Sequence, residues 1–158
     1  LTIQIFSDFQ CPYCGRTRPT VDQIAETYGS RVRFVWRNYP LPFHERAMPA
    51  AQAATEVWEQ GGDVAFWRYH DLLFENQGEL GDENLVSLAR TLPGIDATRV
   101  GAALRDGRHR ARVQSDIDAV RDAGMQIGTP SFLIGDRLLQ GAQPFAAFQT
   151  QIDAALAR

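Results

Sequence analysis

The strongest constraint on the fold of this chain is a pair of cysteines at the junction between a predicted strand and a predicted helix. Cys11 and Cys14 are its only cysteines. Residues 1–7 form an apolar run typical of a buried strand, and residues 12–28 repeat apolar side chains at helical spacing. We therefore expect both sulfurs at one strand-to-helix corner.

The expected start of this helix gives the two sulfurs different chemistry. Cys11 falls at the N-cap position, and Pro12 follows in the first turn, where its missing N–H costs nothing. Unpaired backbone N–H groups and the helix dipole stabilise an anion at this point, so we predict a reactive thiolate at Cys11. Cys11 is expected to be the exposed attacking sulfur, and Cys14, one turn further in, the resolving one.

Two other uses of a Cys-x-x-Cys pair fit this sequence less well. A zinc site normally needs four ligands, and the remaining candidates, His44, His70 and His109, show no ligand spacing. A purely structural disulfide across so short a loop removes little entropy from the unfolded chain. Redox chemistry at the two cysteines is the favoured interpretation, and it requires no bound metal or cofactor.

Composition limits the remaining possibilities. The chain has 158 residues, 44% of them hydrophobic and 22% charged, which fits one compact domain. A net charge of −3 without a basic run argues against nucleic acid or an anionic membrane surface as a partner. No stretch approaches the roughly 20 apolar residues of a membrane span. There is no recognisable signal peptide, and we expect a processed or trimmed domain.

The first half of the chain predicts a βαβ unit followed by helices. Residues 31–38 alternate charged and apolar side chains, so this second strand should run parallel to the first. No convincing strand appears between residues 45 and 124. Five helices are predicted there, at 47–60, 63–75, 82–92, 96–106 and 108–123. We expect the aromatic residues of this block in the core and His70 as a hydrogen-bonded structural histidine; the aromatic set is Trp58, Phe66, Trp67, Tyr69 and Phe74.

The end of the chain predicts a hairpin and a final helix. Residues 131–134 and 137–140 have strand character and flank Gly135-Asp136, a two-residue turn. An amphipathic helix is predicted over about 144–157. The predicted order is thus βαβ, a helical block, then ββα.

Taken together, these features resemble the thioredoxin fold. The resemblance rests on Cys11-Pro12-Tyr13-Cys14 after a strand, on Gly128-Thr129-Pro130 before the next strand, and on the hairpin and helix that end the chain. The helical block between the two halves resembles that of the DsbA-like thiol-disulfide oxidoreductases. The resemblance implies an α/β, thioredoxin-like single domain over 1–158, with its core at about 1–44 and 125–158 and a helical insertion at about 45–124.

The resemblance also implies an activity. Members of this family exchange disulfides with unfolded or reduced cysteine-containing proteins, and we expect a disulfide-forming oxidase. Its partner for reoxidation would be a membrane protein resembling DsbB or a vitamin K epoxide reductase homologue. The implied location is the periplasm or another extracytoplasmic compartment. We expect a monomer, because the chain has no added dimerisation domain of the kind found in related isomerases.

Several site residues follow from the resemblance. In the family, the proline that matches Pro130 is cis and lies against the disulfide. The backbone of Thr129 would then pair with an extended substrate as an added strand. We expect Phe9, Gln10 and the loop 141–143 at the lip of this peptide groove.

The sequence departs from the family pattern at two places. Many DsbA-like proteins carry a buried Glu six residues before the first cysteine, where it relays protons to the inner sulfur, and Ile5 stands there in this chain. The nearest polar alternatives are Gln4, which cannot titrate, and Asp8, expected at the edge of a loop. Tyr13 adds no positive charge between the cysteines, so we expect a less oxidising couple than that of the strong oxidants.

Three alternatives stay open. In the first alternative, the protein is a reductase or isomerase. This fits because Cys-Pro-Tyr-Cys resembles the glutaredoxin motif, and a Thr before the cis proline resembles the arrangement in disulfide isomerases. In the second, it is a redox-sensing module fused to a membrane transporter. The third is a glutathione-dependent isomerase, in which Cys14 would have no obvious use.

Overall fold

A computed structural model describes residues 1–158 as a four-stranded sheet with seven helices. The strands and helices follow in this order: β1 (Thr2–Ser7), α1 (Pro12–Arg16), α2 (Arg18–Tyr28), β2 (Arg33–Asn38), α3 (Ala47–Glu75), α4 (Asp82–Arg90), α5 (Ala97–Asp106), α6 (Arg110–Asp122), β3 (Ser131–Ile134), β4 (Arg137–Gln140) and α7 (Phe145–Leu156). A short 3₁₀ turn at Gly29–Arg31 joins α2 to β2. The predicted order of strands and helices is confirmed.

The sheet places β1 at its centre, because the strand order is β2-β1-β3-β4. β1 runs parallel to β2, as expected for a βαβ unit, and antiparallel to β3, which forms the predicted hairpin with β4. Ile3, Ile5 and Phe6 of this strand are buried, which accounts for the apolar residues at the start of the chain. Residues 8–11 therefore follow the carboxyl end of an inner strand of the sheet.

One predicted helix is divided in the structure, and two others are confirmed on either side of a kink. The first splits into α1 and α2 at Thr17, because Pro19 has no N–H to continue the helical hydrogen bonds and the Thr17 hydroxyl instead donates to the carbonyl of Cys14 at 2.8 Å. The two helices expected at 47–60 and 63–75 are confirmed as the two segments of α3, which a non-helical residue, Gly62, separates. The φ of Gly62 is 69°, a conformation that favours glycine.

The core consists of two clusters on different parts of the sheet. One packs β1 and β3 against α2 and α7, and its largest members are Ile3, Ile24, Phe132, Phe148 and Ile152. The other fills the space among α3, α4, α5 and the cysteine corner, and it includes Phe66, Tyr69 and Phe74. Both cysteines belong to this second cluster.

One aromatic residue of the helical block was wrongly predicted to lie in the core. Trp58 is 50% exposed, and its indole N–H donates to the carboxylate of Asp63, just after the kink at Gly62, at 2.9 Å. None of the helices combines the length with the apolar content that a membrane span requires.

Candidate active site

The corner between β1 and α1 has the geometry expected from the sequence. Cys11 is the N-cap of α1, with extended backbone angles (φ −72°, ψ 120°) and Pro12 in the first turn. The backbone N–H of Cys11 donates to the carbonyl of Asp8 at 3.1 Å, which closes the turn that follows β1. Because α1 is only five residues long, its dipole is small, and side-chain hydrogen bonds must supply much of the electrostatics.

The expectation that the Cys11 side chain is exposed was wrong. Cys11 is 3% exposed and Cys14 1% exposed, and both are free thiols. Cys11 is covered because the segment before β3 packs over it: its Sγ lies 3.6 Å from the carbonyl oxygen of Thr129. Only a small part of the Cys11 surface is therefore open to an incoming sulfur.

The environment of Cys11 favours its thiolate. A hydrogen bond from the Cys14 side chain is the largest influence on the pKa of Cys11, and hydrogen bonds from Thr129 and from the backbone of Cys14 act in the same direction. Burial and the negative charge of Asp8 oppose them. The net effect lowers the pKa of Cys11 to about 6. At pH 7, roughly nine-tenths of such a group is ionised.

The environment of Cys14 favours its neutral thiol. Burial raises the pKa of Cys14 far above its usual range, and the hydrogen bond that Cys14 provides to Cys11 raises it further. Hydrogen bonds from Ser7 and from the backbone of Asp8 only partly offset these effects. The two sulfurs are thus strongly different: one is ready to attack at neutral pH, and the other needs a proton acceptor before it can.

The loop before β3 faces the cysteines. The Thr129–Pro130 peptide bond is cis, and the buried Thr129 hydroxyl has no hydrogen-bond partner while Cys11 is a thiol. The loop is held from both sides, because the Gln140 side chain accepts from the backbone N–H of Gly128 at 3.2 Å and the Ser131 hydroxyl donates to the carbonyl of Gly128 at 2.6 Å. An unpaired hydroxyl beside Cys11 is a ready donor to a thiolate.

Asp8 does not lie at the edge of a loop, contrary to expectation. It is 1% exposed, since its carboxylate accepts hydrogen bonds that fix two segments near Cys11. One oxygen accepts from the backbone N–H of Gln10 at 2.7 Å. The other lies 2.9 Å from the backbone nitrogen of Leu41, a donor, and 2.7 Å from Nδ1 of His44. Asp8 therefore serves to hold the loop after β2 against the cysteine corner.

Gln77 is a part of the site that the sequence analysis missed. It lies just after α3, and its side-chain amide donates to the carbonyls of Phe9 and Cys11 at 3.0 and 2.8 Å. Gly15 leaves room for it, because a Cβ on Gly15 would come within 2.7 Å of the Gln77 Oε1. A lone Gln in a helical block carries no sequence signal for such a contact across the fold.

Two residues expected at the lip of a peptide groove make contacts within the protein. The Phe9 ring is not available to a substrate: it is 1% exposed and stacks on Trp36, with ring centroids 4.7 Å apart. The Gln10 side chain accepts a hydrogen bond from the backbone of Arg46 at 2.8 Å. The large apolar side chains that are exposed on this part of the chain are Tyr13, at 57%, and Phe43, at 74%.

One cluster outside the corner has the side-chain types of a metal site. Glu56, Glu59 and His109 bring one ligand atom each within 4.8 Å of one another. Glu56 is already neutralised by two cations, because Arg99 and Arg108 lie 3.7 and 3.6 Å from its carboxylate oxygens. We therefore interpret this cluster as an ion-pair network that ties α3 to α5 and α6.

Comparison with known proteins agrees with this geometry. The model of a family described as thioredoxin matches residues 1–154. The chain is also similar to the Na(+)/H(+) antiporter NhaA 3 of Salinispora tropica, with 38% identity over 99% of this chain and 23% of that protein. The chain thus spans less than a quarter of the length of such antiporters.

Two solved structures show the same fold. One is oxidised BdbD from Bacillus subtilis, with a TM-score of 0.89 at 24% identity over 99% of this chain and 88% of that one. The other is a thioredoxin-like oxidoreductase from Silicibacter pomeroyi, with a TM-score of 0.84 at 26% identity over 99% of this chain and 87% of that one. The chain therefore belongs to the thioredoxin family, and it carries the helical insertion of the DsbA-like thiol-disulfide oxidoreductases.

Proposed function

We propose that this chain exchanges disulfides with cysteine-containing protein substrates through Cys11 and Cys14, and that it acts as a disulfide-forming oxidase. The observation that carries the proposal is the difference between the two sulfurs, since the pKa of Cys11 is lowered to about 6 while that of Cys14 is raised. A stable thiolate at Cys11 favours the reduced form of the dithiol, and a dithiol that prefers to be reduced oxidises its substrates.

The exchange has two steps. A substrate thiolate attacks Sγ of Cys11 in the Cys11–Cys14 disulfide, the Cys14 sulfur leaves and takes up a proton, and a mixed disulfide with the substrate forms. A second substrate thiolate then attacks the substrate sulfur of that mixed disulfide and releases Cys11 as a thiolate. The substrate loses two electrons and gains a disulfide, and the enzyme gains both electrons.

We propose a substrate site at the segment before β3. The backbone of Thr129, beside the cis bond to Pro130, would pair with an extended peptide whose cysteine lies over Cys11. Gln10 and the loop 141–143 would border the groove, and the exposed ring of Tyr13 would add an apolar contact.

The direction of the reaction separates oxidase from reductase or isomerase. Equilibration of the dithiol with glutathione measures its reduction potential, and a value near −120 mV favours the oxidase whereas one near −270 mV favours a reductase. Because Tyr13 adds no positive charge, we expect a value between the two and nearer the first. Stoichiometric oxidised protein should also form disulfides in a reduced, unfolded substrate, and Cys11→Ser should abolish this activity.

A second candidate function comes from the antiporter relatives. A chain that matches 23% of an Na(+)/H(+) antiporter along 99% of its own length is, by this likeness, a redox-responsive domain attached to a transporter. The open reading frame that encodes the chain tests this: a transporter segment in the same frame supports it. Exchange of Na⁺ for H⁺ in vesicles should then differ between the oxidised and reduced dithiol, and Cys11→Ser should remove the difference.

The remaining expectations fit the same proposal. We propose a monomeric single domain with the insertion at about 45–124, located in the periplasm or another extracytoplasmic compartment, where disulfides persist. A membrane protein resembling DsbB or a vitamin K epoxide reductase homologue would reoxidise it. Gel filtration tests the monomer, and the thiol state of Cys11 in intact cells tests the compartment, because a reducing cytosol keeps it reduced.

A further inference from the structure

The inner sulfur faces a small cavity that the proposed function leaves without a role. The cavity measures about 20 Å³, and it lies between the cysteine corner and α3. It has room for one water molecule, which needs roughly 10–15 Å³. Cys14 and Ser7 line it from the corner, and His70 and Asp71 line it from α3.

Ile5 also lines this cavity. It occupies the position at which a carboxylate would exchange protons with the inner sulfur in many related proteins. The aliphatic side chain of Ile5 cannot do so, and yet burial holds Cys14 as a neutral thiol that must lose a proton before it attacks. Titratable groups line the other walls of the cavity: His70 and Asp71 on α3, and Asp22 on α2. Of these, His70 is the one whose neutral form at pH 7 accepts a proton.

His70 is held in a definite orientation. Its Nδ1 lies 2.9 Å from the carboxylate of Asp71, so in the neutral ring Nδ1 carries the proton and Nε2 carries the lone pair. Aromatic rings pack around the imidazole, with centroids 4.9 to 6.2 Å away, and the set is Phe9, Trp36, Phe66, Trp67 and Phe74. Such packing leaves the ring little freedom to turn.

We propose that His70, oriented by Asp71, takes up the proton of Cys14 through a water molecule in this cavity and returns it in the reverse step. The inference rests on the proposed function, because it concerns the same dithiol. Asp71 is a positioning residue in this scheme, since it acts through the imidazole.

The Cys14 thiol loses its proton to Nε2 of His70 through the water, and the Cys14 sulfur attacks Cys11 in a mixed disulfide. The Cys11–Cys14 bond forms, the bond between Cys11 and the partner sulfur breaks, and the partner leaves as a thiolate. His70 becomes an imidazolium beside the Asp71 carboxylate, and the reverse reaction returns its proton to Cys14.

The charges around His70 suit this exchange. Burial lowers the pKa of His70, so the ring is neutral at pH 7 and accepts a proton, while the hydrogen bond that His70 donates to Asp71 partly offsets the burial. From α2, Asp22 favours the imidazolium and Arg18 opposes it. Arg18 is itself paired with Asp71 at 3.4 Å and with Glu75 at 3.6 Å, so its charge is largely balanced.

The test uses the reduced protein and dithiobis(nitrobenzoate), a disulfide that releases a coloured thiolate at each exchange. The first release reports the attack of Cys11, and the second reports the attack of Cys14 on the mixed disulfide. In His70→Phe, which keeps an aromatic ring in place, the second release should slow at least tenfold and the first should be unchanged. The second release should level off with rising pH in the native protein, and rise without levelling off in His70→Phe.

A matched pair of variants keeps the test valid if His70→Phe does not fold. Asp71→Asn and Glu75→Gln each remove a carboxylate that pairs with Arg18, but only Asp71 contacts His70. Asp71→Asn should slow the second release several-fold, and Glu75→Gln should leave it unchanged. Equal rates in this pair would overturn the proposal.

A rescue separates proton exchange from packing. Adding Ile5→Glu to His70→Phe places a carboxylate in the same cavity and should restore most of the second release. A second release that stays slow after this addition, or one that His70→Phe never slowed, would overturn the role of His70. A slow first release in the native protein would instead count against the proposed function, because it reports Cys11 alone.

Discussion

The sulfur of Cys11 lies 3.6 Å from the carbonyl oxygen of Thr129, although 118 residues separate them in the chain. In the thiol form, Cys11 donates to that carbonyl. After ionisation the sulfur is an acceptor, and the buried Thr129 hydroxyl, which has no other partner, is placed to donate to it. Thr129 thus accepts a hydrogen bond from the Cys11 thiol through its carbonyl and donates one to the Cys11 thiolate through its hydroxyl.

The reactivity of Cys11 should follow a low titration midpoint. Its alkylation rate by iodoacetamide is expected to rise with pH around a midpoint of about 6, which is well below that of free cysteine. Cys14→Ala should move the midpoint upward, because the hydrogen bond from Cys14 is the largest influence on the Cys11 pKa. A midpoint near that of free cysteine in the native protein would contradict the site described above.

The Thr129 hydroxyl should contribute to that midpoint. Thr129→Val keeps the shape of the side chain and removes the donor, so the pKa of Cys11 should rise by about one unit. Thr129→Ser keeps the hydroxyl and should leave the alkylation midpoint close to that of the native protein. If the two variants have the same midpoint, the hydroxyl does not stabilise the thiolate.

The stability of the reduced protein should depend on pH through Cys11. Its pKa is about 6 in the folded chain and about 8.5 in the unfolded one, so its contribution is complete above the unfolded value and disappears as pH falls through the folded value. The free energy of unfolding of the reduced protein, relative to Cys11→Ser, should rise by about 1 to 2 kcal/mol between pH 6 and 8.

Urea unfolding under reducing conditions measures this difference. Above the unfolded pKa, Cys14 acts in the opposite direction, since its raised pKa keeps it protonated in the folded chain only. The comparison therefore belongs below about pH 8.5, where the Cys14 thiol is neutral in both states. A difference that falls with pH in this window would contradict the lowered pKa of Cys11.

Gln77 should stabilise the cysteine corner. Gln77→Leu leaves the carbonyls of Phe9 and Cys11 without their side-chain donor, so the free energy of unfolding should fall by about 1 to 2 kcal/mol. The control is Gln149→Leu, at an exposed position on α7, which is expected to change stability by less than about 0.5 kcal/mol. Similar losses in the two variants would mean that the amide of Gln77 is not stabilising.

Local sequence patterns were sufficient for much of the fold. The apolar run of β1, the alternation in β2 and the turn at Gly135-Asp136 between β3 and β4 each depend on neighbouring residues alone, and all four strands were predicted correctly. The N-cap position of Cys11 also depends only on adjacent residues. The split at Thr17 was missed, although Pro19 supplied a local signal for it.

Local sequence patterns did not predict the contacts between distant segments. The burial of Cys11 depends on a loop 118 residues away, and the burial of Asp8 depends on donors from the loop after β2. The contact of Gln77 with the corner joins the end of α3 to residues far earlier in the chain, and the helical pattern that predicts this end does not indicate which residues lie beside it. The same is true of Phe9, whose ring was expected beside a substrate and instead stacks on Trp36.

The hydrogen bonds from Gln77 make the helical block part of the reactive corner. A shortened protein that spliced residues 1–44 directly to 125–158 would keep both cysteines and the cis-proline loop, yet it would lose the only side-chain amide that steadies the Cys11 carbonyl. It would lose His70 and the aromatic rings around it as well. A protein shortened to its sheet-bearing half would therefore be expected to keep two sulfurs but to lose the difference in reactivity between them.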